Sequence, residues 1–494
     1  MQHTGSVGPS CRLSDQARQQ SRSLGALGLR GLAVILHLVI SPVLLIAGSP
    51  ATDRSSETPA SVIVLVTIDT LRADAVSFMG NPLDTTPFLD SLAENGIIFE
   101  RAYSNSWTVP SMASLFTSRY PSSHGVVSGE VQRNPGNDVW NQPVLPLAVE
   151  TLAEAFRRAG FRTIGVAANR HLQAGTGFER GFEKYFDTAK FLTANQLNNQ
   201  VRRLMKEAFG PTWRESWKSS KTFLWVHYFD PHLPYYPRRP WIHRYAPDFQ
   251  ENPDAYPRPM TKPQLLSAYS SFTKVAPRLE AMYLSEVSFL DHHLRQLFEE
   301  LGVDDSTLVM VTADHGEEID DHGGISHGQT LYEEVVHVPM LLKWPRGLPR
   351  GGSVRETVTL LDVYPTLTEL AGLKTQQSAQ GRSVLPLIEG GKGSKSLPTF
   401  LEQLPPRPSL EAVVTDRWKL IRPFTPGSSA KLFDLHVDPK EQNDLERTEQ
   451  QHAKFLAALL DHWRDGLPAA PDPVYFSSDD KELTDQLRSL GYIE

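Results

Sequence analysis

The chain predicts an α/β protein: a doubly wound, mostly parallel sheet flanked by helices, followed by a smaller C-terminal α+β unit. Three observations predict it. Ser61-Val-Ile-Val-Leu-Val-Thr-Ile-Asp69 and Ser306-Thr-Leu-Val-Met-Val-Thr-Ala-Asp314 are continuous apolar runs that end in an acid. An uninterrupted apolar strand is buried on both faces, as in a parallel sheet, and its C-terminal end is where open α/β sheets place ligands. Runs of this kind alternate with helical patterns along the chain. The 494 residues, 40% hydrophobic and 21% charged, give an ordinary globular composition with enough chain for a large core.

Taken in order, Gly31–Gly48 is apolar apart from His37 and Ser41, and Arg12, Arg18, Arg22 and Arg30 precede it. That is the layout of an export signal or a single N-terminal anchor with positive charge held inside. A buried core helix is the poorer account, because the polar leader offers it nothing to pack against. Small residues around Ala47, Ser49 and Ala51 allow cleavage. The folded part is therefore expected to be extracytoplasmic, periplasmic or secreted, with the membrane as a partner if the segment is retained. Residues 1–60 are read as this segment and its Ser/Thr/Pro/Asp-rich linker, 61–390 as the catalytic domain and 391–494 as the C-terminal α+β subdomain.

Strands are expected at Val62–Ile68, Arg162–Ala168, Thr222–Tyr228, Thr307–Thr312 and Pro339–Leu342. Helices are expected at Pro87–Asn95, Pro110–Phe116, Thr151–Ala159, Leu284–Leu301 and Leu361–Ala371. Pro110 suits a first helical turn. Thr108 then sits just before a helix N-terminus, whose dipole favours a bound anion. Residues 192–222 and 236–280 break the pattern and are expected to be substrate-contacting insertions. A Gly/Lys/Ser run at 390–396 marks the boundary before an antiparallel sheet holding the Lys419 and Leu432 strands.

A net charge of −8 argues against a nucleic-acid partner, which favours a basic surface. The single cysteine, Cys11, excludes a disulfide within the chain and a cysteine-based zinc site. It precedes the apolar segment, so it is not a lipidated cysteine following an export signal.

Asp69 and the Asp314-His315-Gly316 turn are the candidate metal ligands. An acid at a strand end is also a common cap or turn former. Adjacent Asp and His serve one cation if the chain turns sharply, which Gly316 permits. A threonine hydroxyl such as that of Thr108 is a weak nucleophile until a base or a metal lowers its pKa. His232 lies between Pro231 and Pro234, hence in a loop after a strand. His227, near that strand's end, is as readily a core histidine, and His124 a turn residue. Asp320, Asp321 and His322 read as a solvated loop.

The segment Ser106-Trp-Thr-Val-Pro-Ser-Met-Ala-Ser-Leu-Phe-Thr-Ser-Arg-Tyr-Pro121 resembles the nucleophile segment of the sulfatase family, in the alkaline-phosphatase-like superfamily. Thr85–Phe99, Val226–Tyr235, Thr330–Pro339, Asp416–Ile421, Lys431–Leu445 and Leu487–Tyr492 resemble further family motifs in the family's order. The likeness spans roughly residues 60 to 494. In that family a Cys or Ser followed by x-Pro-Ser-Arg is oxidised to formylglycine. Here Val109-Pro110-Ser111 keeps the middle, while Thr108 and Met112 replace the ends. Oxidising a threonine gives a ketone, so no formylglycine is expected.

The resemblance implies an alkaline-phosphatase-like fold and an ester hydrolase. It implies that His232 contacts the anion or protonates the leaving group, and it puts His327 where sulfatases hold a sulfate-binding lysine. Asn169 and His171 stand in its "G-K-W-H-L-G" segment and become candidate substrate contacts, without the lysine. Thr70 replaces the second metal-binding Asp of the family, and His315 replaces its Asn. The mixed donors suit manganese or zinc better than calcium, with magnesium a further candidate. Asp69, Thr108, Asp314 and His315 are expected on one divalent cation. The expected activity is hydrolysis or group transfer on a phosphate, phosphonate or sulfate ester of a small molecule, lipid or glycan, with Thr108 as nucleophile. Three alternatives stay open: sulfuric ester hydrolysis without formylglycine; a second metal held by Asp230, His232 and His327; and a catalytically inactive binding protein, which Met112 favours.

Overall fold

A computed structural model describes residues 58–478 apart from 128–129, 133–138, 189–190, 250–271, 391–395, 406 and 426–428. Cys11, the apolar segment Gly31–Gly48 and the Leu487–Tyr492 motif lie outside the described residues. Among the described residues no helix is long and apolar enough to cross a membrane.

The apolar runs form a central eight-stranded sheet. Its strands are β1 (Val62–Ile68), β2 (Ile97–Phe99), β3 (Arg162–Ala167), β4 (Lys184–Phe186), β5 (Thr222–Tyr228), β6 (Leu308–Ala313), β7 (Met340–Lys343) and β8 (Gly352–Val354). The spatial order is β8-β2-β7-β6-β1-β5-β3-β4. β1 pairs in parallel with both β5 and β6, β3 with both β5 and β4, and β2 with β8. Only β7 runs against its neighbours β6 and β2. All seven residues of β1 and all seven of β5 are buried, as apolar runs without alternation require. Each buried Val, Leu or Ile contributes about 1.5–3 kcal/mol relative to exposure.

Helices α1 (Pro87–Ala93), α2 (Thr108–Thr117), α3 (Leu152–Arg158), α4 (Ala194–Phe209), α5 (Phe272–Leu301), α6 (Glu333–Val336) and α7 (Val363–Leu370) accompany this sheet. A capping box starts α3: Thr151 accepts from the Glu154 amide, and Glu154 accepts from the Thr151 amide. Helix α2 begins at Thr108 itself, two residues earlier than Pro110 predicts, and all ten of its residues are buried. Residues 192–222 are not an insertion. Helix α4 lies within them and buries Leu197, Val201, Leu204 and Met205 in the main core. Exposed Asn195, Gln196, Asn199 and Arg203 on the outer face, with Asn198 buried among the apolar residues, mask that stripe in the sequence.

After the central sheet come β9 (Thr399–Gln403), β10 (Leu410–Val414), β11 (Trp418–Pro423), β12 (Lys431–Asp434) and helix α8 (Gln450–Asp465). The four strands form one antiparallel sheet in sequential order, with Lys419 on β11 and Leu432 on β12. Leu401, Ala412, Val414, Ile421 and Phe433 make a small core with Leu331, Val335 and Val336, so α6 bridges to this sheet. Thr58–Glu494 forms one compact unit. The boundary expected near residue 390 therefore separates two sheets within it.

Candidate active site

Four adjacent parallel strands end on the same edge, and each carries a site residue there. Asp69 follows β1, Asp314 follows β6, Asn169 lies two residues beyond β3, and His227 is the penultimate residue of β5. The parallel register sets His227 beside Thr67. Helix α2 brings Thr108 to this edge. Ser111 Oγ accepts the Ser106 amide at 3.0 Å and so fixes the approach to the helix, which explains the serine of Val109-Pro110-Ser111. Met112 is fully buried in the main core, so apolar packing occupies the position of the family's arginine.

Asp69, Thr108, Asp314 and His315 come together. His315 Nε2 stands 2.9 Å from Thr108 Oγ1, 3.6 Å from Asp69 Oδ1 and 3.7 Å from Asp314 Oδ2. All four residues are fully buried. The tautomer of His315 follows from its other nitrogen. Nδ1 lies 2.7 Å from the Gly316 carbonyl, which only accepts, so Nδ1 carries the proton and Nε2 presents a lone pair. Burial, reinforced by His327, pushes this imidazole down to about 3, so it is neutral at physiological pH.

The carboxylates are held from outside and open toward each other. Asn169 Nδ2 donates to Asp69 Oδ2 at 2.6 Å. The amides of Thr70 and His315 donate to Asp314 Oδ1 at 3.2 and 2.8 Å. Asp69 Oδ1 and Asp314 Oδ2 are buried with no hydrogen-bond partner. Burial and the charge of Asp69 hold the Asp314 carboxyl well above the usual range. Burial opposes ionisation of Asp69 too, but the imidazoles of His232, His227 and His315 outweigh it and hold that carboxyl low. Two facing carboxylates with unpartnered inner oxygens fit a divalent cation, which removes the penalty for ionising both.

Thr70, in the place of a second Asp, has φ 56°, a left-handed conformation costly for a β-branched residue. Its backbone serves the site: the amide holds Asp314 and the carbonyl accepts Tyr283 Oη at 2.8 Å. Gly316 is not needed for a left-handed turn. The α6 backbone crosses it so closely that a Cβ would lie 2.1 Å from the Glu334 carbonyl oxygen.

Two further imidazoles line up beside His315. His327 Nδ1 donates to Glu317 Oε1 at 2.9 Å, and His232 Nδ1 donates to the Leu233 carbonyl at 2.5 Å. The His327 ring centroid lies 4.3 Å from that of His315 and 5.0 Å from that of His232. In each, Nδ1 is engaged by an acceptor of the protein.

The two expected substrate contacts behave differently. Asn169 spends its amide inside the protein: Nδ2 holds Asp69, and Oδ1 accepts the His171 amide at 2.9 Å. His171 is pushed down to about 3 by burial and by the charge of Arg407. Its Nδ1 proton goes to Gln142 Oε1 at 3.1 Å, so as a neutral ring it has no Nε2 proton to offer an anion.

Sequence reasoning missed Glu317, Arg407 and the placement of His227. The Arg407 guanidinium, from the β9–β10 loop, lies 4.9 Å from the Trp107 ring centroid. A Cβ at Gly328 would sit 3.4 Å from that guanidinium. Arg407 thus meets the neighbours of both Thr108 and His327. His124 is structural, bonded to Ser114 Oγ at 3.2 Å and to the Val126 amide at 3.0 Å. The Asp320–His322 loop is more than solvated, since Asp321 forms a two-pronged ion pair with Arg72 at 2.7 and 2.9 Å. A separate cleft of about 430 Å³, lined by Arg72, Asp321, Glu333 and His337, contains none of the candidate catalytic residues.

The family model "Sulfatase" matches residues 61–373, and "N-sulphoglucosamine sulphohydrolase, C-terminal" matches 322–465. An arylsulfatase of Clostridium perfringens is 24% identical over 464 residues, covering 81% of this chain and 93% of that protein. The uncharacterized sulfatase YidJ of Escherichia coli is 25% identical over 452 residues, covering 81% and 86%. Among solved structures, a phosphonate monoester hydrolase from Silicibacter pomeroyi superposes with a TM-score of 0.62 at 20% identity, covering 82% of this chain and 94% of that one. A structure in complex with its substrate D-glucosamine-2-N,6-O-disulfate superposes with a TM-score of 0.64 at 17% identity, covering 86% and 100%. The fold is accordingly alkaline-phosphatase-like, as expected. With the family model covering well over half of its length, the chain belongs to the sulfatase family of ester hydrolases.

Proposed function

We propose that this protein hydrolyses a phosphate or phosphonate ester, using Thr108 as the nucleophile. One observation carries it: Thr108 Oγ1 is 2.9 Å from a histidine nitrogen whose lone pair is fixed toward it. The Thr108 oxygen attacks the tetrahedral centre as its proton leaves to solvent, because the single lone pair of His315 Nε2, which accepts that proton in the metal-free site, is engaged when an ion is bound. The bond from that centre to the leaving oxygen breaks, and Nε2 of His232 or His327 supplies the proton to the departing alcohol. Water, or an acceptor alcohol, then resolves the ester formed on Thr108. The N-terminus of α2 favours the anionic group beside the nucleophile.

Asp69, Thr108, Asp314 and His315 are the proposed holders of one divalent ion, and Asn169 positions Asp69. When bound, such an ion lowers the pKa of the hydroxyl and offsets charge at the reacting centre. A hydroxyl in place of the family's formylglycine supports phosphorus over sulfur, while the arylsulfatase relatives keep sulfate as the second reading. A sulfated or phosphorylated glycan is within the proposed substrate range, since a structural neighbour was solved with a disulfated glucosamine. An extracytoplasmic site of action is proposed from the arginine-flanked apolar segment.

The test compares turnover of 4-nitrophenyl phenylphosphonate and 4-nitrophenyl sulfate by the wild type, Thr108→Ser and Thr108→Ala. The phosphonate is expected to be preferred, Thr108→Ser to stay active, and Thr108→Ala to lose about 10³-fold or more in kcat. A clear preference for sulfate overturns the choice of phosphorus. Unchanged turnover by Thr108→Ala overturns the nucleophile.

A further inference from the structure

His227 is the site residue whose chemistry the preceding account leaves unused. Its Nε2 is buried without a hydrogen-bond partner, and the nearest carboxylate oxygen, Asp69 Oδ2, lies 3.5 Å away. Nδ1 is held by Thr67 Oγ1 at 2.9 Å, and the same oxygen accepts Trp225 Nε1–H at 2.9 Å. Thr67 Oγ1 has lone pairs for both N–H donors, and in that Nδ1-protonated tautomer His227 Nε2 presents a bare lone pair.

Asp69, His227 and Asp314 therefore share one design. Each is tethered from outside through one polar atom, by Asn169, by Thr67 and by the Thr70 and His315 amides. Each offers an atom inward, and those three atoms lie within 4.8 Å of one another. Donors about 2.0–2.2 Å from a common ion in a tetrahedral array stand about 3.3–3.6 Å apart, and His227 Nε2 lies at that spacing from Asp69 Oδ2, the oxygen that also accepts Asn169. Outer tethers of this kind orient metal ligands.

A second cluster shows the contrast. Glu318, His322 and Glu334 also gather within 4.8 Å. There His322 donates from both nitrogens, to Glu334 Oε1 at 2.8 Å and to the Glu441 carbonyl at 3.1 Å. An imidazolium has no lone pair for a cation, so that group is an ion pair and a structural one.

We infer that His227 Nε2 is a direct ligand of the divalent ion held by Asp69 and Asp314, giving a mixed nitrogen–oxygen site with an imidazole on the β5 side. Together with His315 this makes two imidazoles facing two carboxylates. Such donors select zinc, manganese or a similar transition ion, and calcium, which takes oxygen ligands, is disfavoured. The inference rests on the metal reading of the proposed function and is tested without turnover.

The experiment loads chelator-treated full-length protein with Zn²⁺, Mn²⁺ or Ca²⁺ and measures ions bound per chain and their Kd, for the wild type, His227→Ala and His227→Gln. Co²⁺ absorption spectra of the three proteins report the donor set. The expected result is one tightly bound Zn²⁺ or Mn²⁺, weak Ca²⁺, a loss on the order of 100-fold in affinity in both variants, and an altered Co²⁺ spectrum. Circular dichroism melts of the metal-free proteins identify a variant that fails to fold; His227→Gln preserves side-chain bulk for that reason. Variants that bind Zn²⁺ or Mn²⁺ as tightly as the wild type, with an unchanged Co²⁺ spectrum, overturn the role of His227 and leave the proposed function standing. A wild type that takes up none of these ions overturns both.

Discussion

Thr108 and His315 show how far a single side chain's neighbours decide its chemistry. The hydroxyl is ordinary; what changes it is a neutral imidazole at 2.9 Å whose other nitrogen is committed to a backbone carbonyl. Burial acts with similar force elsewhere. Glu402, on β9, is 1% exposed and accepts the Ser122 amide at 2.9 Å. Burial, aided by the charge of Glu411 and opposed by the Ser122 hydrogen bonds, pushes its carboxyl from 4.5 up to about 7. A folded-state value above the unfolded one means that the folded protein binds the extra proton. Stability from this group is present below about pH 4.5 and is lost as pH rises through about 7. Glu402→Gln can keep the Ser122 contact without the charge. Urea melts between about pH 5 and pH 8 are expected to show the wild type losing on the order of 1–3 kcal/mol relative to the variant across that window. Parallel pH profiles for the two proteins contradict the assignment.

At the scale of elements, the strand ends were legible because two apolar runs each deliver an acid, and α1, α3 and α7 followed from helical patterns at nearly their observed positions. Thr108, Asp69, Asp314 and His315 meet because β1 and β6 are neighbours and α2 starts beside them. The role of His227 was not legible. It depends on β5 pairing with β1 in a register that sets it against Thr67, and register is not written in either strand alone. Arg407 was hidden for the same reason, since a β9–β10 loop far along the chain supplies it. Helix α4 was misread as an insertion because its buried stripe is narrow and its outer face strongly polar. Gly316 was singled out correctly, but for backbone freedom, whereas its place is set by the close crossing of α6. Gly316→Ala is expected to cost about 1–3 kcal/mol in a denaturant melt, because backbone must move to admit the methyl. A variant as stable as the wild type shows that α6 can retreat without loss.

For the whole molecule, the central sheet supplies the candidate metal ligands, while the smaller C-terminal sheet sends Arg407 toward the rim of the site. Lys419 on β11, fully buried, pairs with Glu333 at 2.9 Å and Glu441 at 3.0 Å, which ties α6 to that sheet. Arg407 stacks on Trp107, the residue before Thr108, so it is placed to attract an anionic ester without taking part in bond breaking. Arg407→Ala is expected to raise KM about tenfold with kcat changed less than about threefold, and to weaken the salt dependence of kcat/KM. An equal fall in kcat at unchanged KM assigns Arg407 to holding Trp107 instead. The claim on which the molecule's function turns is the covalent use of Thr108. It is tested most directly by acid-quenching the metal-loaded protein during turnover of an aryl phosphonate and sequencing the residue-108 peptide by mass spectrometry. The account predicts a phosphonyl adduct on Thr108 that is absent from Thr108→Ala; an unmodified peptide under conditions that give a burst of phenolate release, or an adduct on another residue, contradicts it.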